Sequence, residues 1–305
     1  MKLATVRFNN NTLAGVVRDD SYYALSSIDS RLPNDMLALI EGYEGFKPII
    51  DAGLGKTTAT CKTSEAVFLS PLQPKTIRDF IGFEEHTEKA TTHFGFPMDL
   101  SKTLEAWRKA PGFYYSNTNA INGSDEPIDM HPSSKMFDFE FEFGFIIGKR
   151  GRDISKENAM DYIFGLTIFN DWSARDIQLQ ELPLGAGTPL AKGYANGFGP
   201  VIVTKDEIDQ YLCKDDPYRY DIATKLTFNG KVLRENNLKT IYYTFADMIA
   251  WASRDTYLVP GDVFGSGTIG GGCLAEYPPD SPWLQAGDII EMEAQGIGVL
   301  KNKVM

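Results

Sequence analysis

The feature that most constrains this chain is Phe137–Phe143, in which phenylalanine alternates with aspartate or glutamate. Side chains of a β-strand point alternately to its two faces, so the alternation predicts a strand with one aromatic and one acidic face. The acidic face carries Asp138, Glu140 and Glu142, and carboxylates two residues apart on one face lie roughly 7 Å from each other. Such acids can converge on a hard divalent cation such as Mg²⁺, Mn²⁺ or Ca²⁺, which prefers oxygen ligands.

The alternative interpretation is a surface strand whose acidic face is solvated and holds no ion. The residues that follow, Gly144–Gly148, form an apolar run that predicts a buried continuation of the strand. A strand inside a core rarely carries carboxylates without a partner, so this continuation favours the metal interpretation. The segment alone leaves both interpretations open.

Composition limits the classes of partner. The 305 residues carry 41 acidic and 30 basic side chains, with a formal net charge of −11 and no lysine- or arginine-rich run. This balance argues against nucleic acid and against anionic membrane as partners. Cys61, Cys213 and Cys273 are odd in number and scattered, which predicts neither a disulfide framework nor a thiolate zinc site. No run reaches the roughly 18 apolar residues of a membrane-spanning helix and no signal peptide is visible, so we expect a cytoplasmic protein.

Local patterns divide the chain into two units. Residues 1–70 predict a small β-rich domain, and Pro71–Pro74 marks the boundary to a second domain over residues 71–305. Asn9–Asn11 between two apolar segments, and Asn229-Gly230 in the second domain, are hairpin signals. Strand signals dominate with short helices between them, so we expect a β-rich α+β fold.

A second candidate acid follows a buried strand. The apolar run within Gly165–Asp171 predicts a core strand that ends at Asp171, and the exit from a core strand often opens on a site. The next residues, Trp172–Gln178, have helical character, with Ser173 as a candidate cap. The alternative role for Asp171 is an ion pair with Arg175 at helical i,i+4 spacing, which contributes only a few tenths of a kcal/mol.

A third candidate element is Arg78–His86, which carries a carboxylate and an imidazole on one short stretch. Histidine is the natural general base near neutral pH, although a single histidine is more often structural or simply exposed. The chain has three histidines, His86, His93 and His131, so any metal site must be mainly carboxylate. A carboxylate site points away from zinc and copper.

Gly265–Gly270 matches the GxGxxG pattern after the strand-like Val263-Phe264. The dinucleotide fingerprint requires a helix to begin there, and Gly271, Gly272 and Pro278 argue against one. We interpret the segment as a tight loop whose backbone N–H groups could receive a substrate carboxylate, with an ordinary turn as the alternative.

Taken in order, these segments resemble the fumarylacetoacetate hydrolase family over residues 71–305. The most specific is Asn170–Gln178, which lies between the paired glutamates and the segment Ala191-Lys192-Gly193. The resemblance implies a mixed β-sandwich or roll that holds Mg²⁺ or Ca²⁺, with Mn²⁺ as a further candidate, usually in a homodimer. Residues 1–70 resemble the small amino-terminal domain of that family.

The resemblance also implies roles for individual residues. It assigns the metal ligands to Asp79, Glu140, Glu142 and Asp171. It assigns the general base to His86, the pocket lysine to Lys192, and substrate contacts to Arg175, Gln178 and Thr268. Glu276 is the candidate for the acid that orients His86, with Glu85 as its rival. Asp138 has no ligand role in the family pattern, so we expect it to be structural or to contact a ligand residue without binding the metal itself.

The sequence departs from fumarylacetoacetase at three points. Ile81 stands where that enzyme carries a pocket tyrosine, Gly95 aligns with its pocket arginine, and the spacing from Asp171 to Lys192 is one residue longer. These differences argue against fumarylacetoacetate itself as the substrate and leave the metal ligands unchanged.

The resemblance implies an enzyme that acts on a small molecule. We predict hydrolysis of a carbon–carbon bond in a 1,3-diketo acid, such as an acylpyruvate. The alternative on the same site is decarboxylation, isomerisation or hydration of a 2-oxo acid. An alternative from another class is a cation-binding module without turnover.

Overall fold

The computed structural model describes residues 1–93, 99–278 and 280–305, and Gly95 lies outside them. Its strands are β1 (Lys2–Phe8), β2 (Asn11–Arg18), β3 (Ser21–Ala24), β4 (Cys61–Lys62), β5 (Val67–Phe68), β6 (Ile77–Phe80), β7 (Phe113–Ser116), β8 (Ile121–Asn122), β9 (Phe137–Asp138), β10 (Phe141–Ile147), β11 (Gly151–Arg152), β12 (Ile163–Asp171), β13 (Ser173–Ala174), β14 (Asn196–Thr204), β15 (Ala223–Phe228), β16 (Lys231–Asn237), β17 (Tyr257–Leu258), β18 (Val263–Gly265), β19 (Ile289–Ala294) and β20 (Gly298–Lys303). Its α-helices are α1 (Leu25–Ile28), α2 (Met36–Glu41), α3 (Tyr43–Leu54), α4 (Glu84–His93), α5 (Leu100–Trp107), α6 (Lys156–Ala159), α7 (Arg175–Glu181), α8 (Pro189–Lys192), α9 (Lys205–Ile208) and α10 (Phe245–Ala252).

Twelve of the described strands form one main sheet. Ten of them lie in the order β4-β3-β2-β1-β14-β12-β10-β18-β6-β7, while β5 pairs with β1 and β8 pairs with β14. The β18–β6 and β14–β8 pairs are parallel, and the other pairs are antiparallel. A second sheet has the order β16-β15-β19-β20. The prediction of a β-rich α+β fold is therefore confirmed.

The centre of the main sheet is buried on both faces. Every side chain of β10 and β12 is buried, which explains why their sequences are almost continuously apolar. On one side Phe145 stacks on Phe245 of α10, with ring centroids 4.3 Å apart. Burying one such ring stabilises the fold by roughly 1.5–3 kcal/mol relative to leaving it exposed. This aromatic core is the rigid frame from which the acidic side chains project.

Both predicted hairpins are present. Asn9 and Asn10 have φ values of 47° and 63° and connect β1 to β2. Asn229 and Gly230 have φ values of 50° and 76° and connect β15 to β16. Two successive positive φ values are typical of the turn that matches the twist of a two-residue hairpin, and asparagine and glycine accept them most readily.

The predicted continuous strand over Phe137–Phe143 is wrong in one respect, because it is interrupted at residues 139 and 140. There the Asn170 side chain replaces a backbone partner, and its Oδ1 accepts the Glu140 N–H at 3.1 Å. The Glu140 carbonyl in turn accepts the Asp171 N–H at 3.2 Å. Ser173 is not the cap of the next helix, since it lies in β13 and α7 begins at Arg175. The interruption frees Glu140 from the regular alternation of a strand.

Strands of the predicted amino-terminal domain continue into the main sheet. β1 pairs with β14, with Lys2 opposite Val203 and Leu3 opposite Ile202. The division at residues 70 and 71 stays a prediction, but one sheet extends across it. In the described residues, no helix combines the length and the apolarity that crossing a bilayer requires.

Candidate metal centre and active site

Four acidic side chains meet in the interior of the main sheet. Asp79 comes from β6, Glu142 from β10 and Asp171 from the end of β12, and Glu140 comes from the interruption just before β10. One carboxylate oxygen of each lies within 4.8 Å of the others. All four residues are at most 4% exposed. The alternative of a solvated acidic face is therefore wrong, and the structure brings the four predicted ligands together.

Sheet register explains how residues so distant in sequence converge. β10 and β12 pair with Phe141 opposite Asn170, which brings the ends of both strands to the same level. β6 lies parallel to β18 with Asp79 opposite Gly265. A Cβ at Gly265 would lie 2.2 Å from Asp79 Oδ1, so only glycine leaves room for this carboxylate.

The glycine loop after β18 holds protein carboxylates. The Gly267 N–H donates to Glu142 Oε2 at 2.8 Å, and Thr268 Oγ1 lies 3.4 Å from Glu142 Oε1. The Gly271 N–H donates to Glu276 Oε2 at 2.6 Å. Gly267 has a φ of 80°, a conformation that glycine adopts without strain. The N–H groups of Gly267 and Gly271 therefore orient two acids of the site. A substrate carboxylate bound by other N–H groups of the loop stays a prediction.

Lys192 supplies a positive charge inside the acidic cluster. Its Nζ lies 2.5 Å from Glu140 Oε2, 2.5 Å from Asp171 Oδ2 and 2.7 Å from Ser173 Oγ. The side chain is buried at the end of α8. A buried charge is tolerated only when it is paired in this way.

Tyr114 is a site residue that sequence reasoning missed. Its hydroxyl lies 2.6 Å from Asp79 Oδ2 and 2.5 Å from Asp171 Oδ2. The signal is the pairing of β6 with β7, which sets Tyr114 opposite Asp79. Nothing in the sequence distinguishes it from its neighbour Tyr115, whose side chain is exposed.

Burial dominates the electrostatics of three of the acids. It raises the pKa of Asp79, and it raises the pKa values of Glu142 and Asp171 well above their usual range. The charge of Asp79 raises the pKa values of Glu142 and Asp171 further. Like charges forced together in a dry site resist ionisation, so this cluster takes up protons or a cation.

Glu140 behaves differently because cations surround it. Burial acts to raise its pKa, but the charges of Lys192, Arg175 and His86 hold the pKa below its usual value. The Arg175 guanidinium lies 2.7 Å from Glu140 Oε1. Its surroundings therefore favour the ionised form of Glu140, with Lys192 and Arg175 as the neighbouring side-chain cations.

The cluster fits a hard divalent cation. Asp79 Oδ1 and Asp171 Oδ1 are buried and have no hydrogen-bond partner among the described residues. An unpaired buried carboxylate oxygen is costly, and a cation between the two would satisfy both. An all-carboxylate donor set matches Mg²⁺, Mn²⁺ or Ca²⁺ better than zinc or copper.

An imidazole–carboxylate pair lies beside the cluster. His86 is in the first turns of α4, and its Nδ1 lies 2.8 Å from Oε1 of the buried Glu276, in the short 3-10 helix Leu274–Glu276. His86 Nε2 lies 4.0 Å from Glu140 Oε1. The rival Glu85 instead contacts Lys89 and Arg234. The structure thus brings Glu276 to the imidazole and directs Glu85 elsewhere.

Arg175 joins the cluster to the residues behind it. Its Nε donates to Asp138 Oδ2 at 2.8 Å, and its NH1 donates to Gln178 Oε1 at 3.1 Å. Asp138 also accepts backbone N–H groups of the Leu274–Glu276 helix. The alternative pairing of Arg175 with Asp171 is replaced by pairs with Asp138 and Glu140.

A cavity of about 360 Å³ opens onto the cluster. Of the ten predicted site residues, all except Asp171 and Glu276 line it. Its other walls are mostly apolar and include Phe80, Phe113 and Leu182. Cavities of about 300–1,000 Å³ that combine apolar walls with a few polar groups are typical of small-molecule sites.

The fold and this site define a family. Residues 75–305 match the family described as "Fumarylacetoacetate (FAA) hydrolase C-terminal". The chain belongs to the fumarylacetoacetate hydrolase family, and the predicted family is confirmed.

Curated relatives carry a more specific name. The chain is 28% identical over 285 residues to oxaloacetate tautomerase Fahd2a, mitochondrial, of Rattus norvegicus, covering 92% of this chain and 83% of the relative. It is 34% identical over 199 residues to oxaloacetate tautomerase fahd2, mitochondrial, of Xenopus laevis, covering 65% of this chain and 59% of the relative.

Solved structures share the fold over the whole chain. Fumarylacetoacetate hydrolase from Exiguobacterium antarcticum superposes with a TM-score of 0.79 at 25% identity, covering 100% of this chain and 99% of that chain. Maleylpyruvate hydrolase from Sphingobium sp. SYK-6, in complex with manganese and pyruvate, superposes with a TM-score of 0.74 at 22% identity, with the same coverage.

Proposed function

We propose that this protein is a metal-dependent enzyme that interconverts the keto and enol forms of a 2-oxo acid such as oxaloacetate. The observation that carries the proposal is His86, which contacts Glu276 at 2.8 Å and lines one cavity together with three of the four clustered carboxylates. Tautomerisation needs a base for the C–H next to the 2-oxo group and stabilisation of the enolate that forms. Relatives that align over 92% of this chain bear the name oxaloacetate tautomerase.

A divalent cation held by Asp79, Glu140, Glu142 and Asp171 would supply Lewis acidity that makes the C–H next to the 2-oxo group easier to ionise. When His86 donates its Nδ1–H to Glu276, its Nε2 carries the free lone pair on the side of Glu140. Nε2 then takes the proton from carbon and returns it to oxygen, so one C–H bond breaks and one O–H bond forms. Lys192 offsets the negative charge that develops on the substrate oxygen.

The second candidate is the predicted hydrolysis of a carbon–carbon bond in a 1,3-diketo acid. The observation that favours it is the apolar wall of Phe80, Phe113 and Leu182, which offers space for an acyl chain. In this reaction His86 takes a proton from water, the water oxygen bonds to the distal carbonyl carbon, and the carbon–carbon bond breaks. The departing enolate carbon then receives the proton.

The metal is proposed as Mg²⁺, Mn²⁺ or Ca²⁺. The fold neighbour solved with manganese and pyruvate supports a divalent ion and a 2-oxo acid in this kind of site. A homodimer stays a prediction, and so does a cytoplasmic location, because the named relatives are described as mitochondrial.

The experiment that tests the proposal compares metal-stripped and Mg²⁺-reloaded protein on oxaloacetate. Tautomerisation is followed by the ultraviolet absorbance of the enol, against a control with the same Mg²⁺ and no protein. We expect acceleration that disappears with a chelator and returns with Mg²⁺. An absence of acceleration over Mg²⁺ alone would contradict the proposal. NMR of the products from a panel of acylpyruvates reports hydrolysis, and carbon dioxide release from oxaloacetate reports decarboxylation.

Glu276→Gln is expected to lower kcat by roughly 10²–10⁴-fold, because a glutamine amide can donate to Nδ1 and select the tautomer in which Nε2 carries the proton. The matched control is Glu85→Gln, one residue before His86 on the same helix, which should keep a rate close to the native one. Steady-state kinetics with Mg²⁺ measure both. Equal losses in the two variants would show that Glu276 does not position the base.

A further inference from the structure

A second group of metal-ligating side chains lies behind the acidic cluster. It consists of His86, Cys273 and Glu276, one from α4 and two from the segment around the 3-10 helix. Cys273 Sγ lies 3.9 Å from His86 Nδ1 and 3.6 Å from Glu276 Oε1, and these two atoms lie 2.8 Å from each other. We name these three residues the His-Cys-Glu triangle. Its thiol has no part in the proposed reaction.

The triangle has nearly the dimensions of a zinc site. Zinc bonds of about 2.0–2.3 Å to nitrogen, oxygen and sulfur at tetrahedral angles imply ligand separations of roughly 3.4–3.6 Å. The two distances to Cys273 Sγ fit within a few tenths of an ångström. The separation of His86 from Glu276 must open by roughly 0.6 Å, because a metal replaces the shared proton there. His86 can make this movement, since its side chain is partly exposed and lines the cavity.

We propose that the triangle is an inhibitory site for a thiophilic divalent ion such as Zn²⁺, separate from the carboxylate cluster. This inference rests on the proposed role of His86. A neutral imidazole has one free lone pair, and binding a metal through Nδ1 uses it. Nε2 must then carry the proton and can no longer act as a base. Zn²⁺ in the triangle therefore stops turnover without displacing Mg²⁺.

Ligand chemistry separates the two sites. The carboxylate cluster offers only oxygen, which suits Mg²⁺, whereas the triangle offers nitrogen, sulfur and one oxygen, which suit Zn²⁺. The thiol gives up its proton to solvent when the ion binds, as metal ligation requires. The surroundings also favour a cation, because the charges of Glu276, Asp138 and Glu140 act on the Cys273 thiol and are opposed by the charge of Arg175. The scattered cysteines of the sequence did not predict this site, since its ligands are joined only by folding.

Cobalt is the probe that reports the thiolate directly. Co²⁺ is titrated into the protein after the carboxylate cluster has been saturated with Mg²⁺, and the near-ultraviolet thiolate-to-cobalt charge-transfer band is recorded. We expect the band to appear with one Co²⁺ per chain and to disappear when Zn²⁺ is added. Cys273→Ser should abolish it. The matched control is Cys61→Ser, which removes another buried thiol and should leave the band intact.

The inhibition assay uses the same variants with oxaloacetate. We expect Zn²⁺ to inhibit the native protein at fixed saturating Mg²⁺, and Cys273→Ser to need at least about tenfold more Zn²⁺ for half inhibition, one ligand bond being lost. The absence of a cobalt band in the native protein would refute the proposed zinc site. This measurement does not depend on whether any variant folds. A band without turnover of any 2-oxo acid would leave the metal site standing and refute the proposed function. Turnover of a 2-oxo acid without a cobalt band would support the proposed function and refute the metal site.

Discussion

Replacing Glu142 with glutamine is expected to weaken Mg²⁺ binding by more than about 100-fold and, without metal, to raise the melting temperature. Loss of a ligand should exceed the roughly 10–100-fold that loss of an outer partner causes. The stabilisation has a separate cause. Among the described residues, Glu142 forms no ion pair with a lysine or arginine; its partners are Gly267 and Thr268, and Asp79 repels its charge. Calorimetric Mg²⁺ titration and metal-free thermal unfolding measure the two effects.

The gain in stability from Glu142→Gln should increase with pH. Burial and Asp79 raise the pKa of Glu142 in the folded state, so the ionisable side chain favours folding fully only below its unfolded pKa of about 4.3. That contribution is lost as pH rises toward the folded pKa. Glutamine does not titrate, so its advantage over glutamate should be negligible near pH 4 and grow as the pH is raised. An advantage that shrinks as pH increases would contradict this account.

Glu140→Gln is the matched contrast, two residues earlier in the chain. Glu140 pairs with Lys192 and Arg175, and the charges of these partners lower its pKa. Its ionised form therefore contributes stability above the unfolded pKa, and this is lost as pH falls through the folded pKa. Breaking a buried ion pair of this kind destabilises by about 3–5 kcal/mol. Both variants should lose metal, but their metal-free melting temperatures should move in opposite directions; a shift in the same direction would refute the charge assignment.

His86→Gln is expected to lower kcat by roughly 10²–10⁴-fold while Mg²⁺ affinity stays near native, because the imidazole moves a proton and is not a ligand of the carboxylate cluster. Kinetics and calorimetric Mg²⁺ titration of one preparation separate the two properties. His131→Gln is the control, since His131 packs against Tyr194 with ring centroids 4.5 Å apart and belongs neither to the carboxylate cluster nor to the cavity lining. A near-native rate in the His86 variant would show that another group is the base.

The sequence predicts the acids well because their signals are local. Period-two alternation identifies Glu140 and Glu142, and the end of an apolar run identifies Asp171. The same rule predicts an unbroken strand, since it cannot foresee that Asn170 would bond the Glu140 N–H from another strand. The family resemblance predicted the roles of these acids, whereas the register of the strands determines where their side chains come together.

The sequence does not reveal site residues whose position depends on contacts between distant parts of the chain. Tyr114 reaches Asp79 through the β6–β7 register, which no local pattern encodes. Cys273 approaches His86 across a separation of 187 positions. No helix begins within the glycine loop Gly265–Gly270, and the partners of the loop, Glu142 and Glu276, became visible only in three dimensions.

The pairing of β1 with β14 covers the hydrogen-bonding edge of β14, and we expect this to protect the protein from aggregation as well as to hold the sheet together. A chain trimmed to the family-matched residues 75–305 would leave part of β14 with unpaired N–H and C=O groups. An exposed strand edge of this kind can pair with strands of other molecules and cause aggregation. Since β14 is the neighbour of β12, which ends at Asp171, disorder spreading from that edge would reach a proposed metal ligand after crossing a single strand.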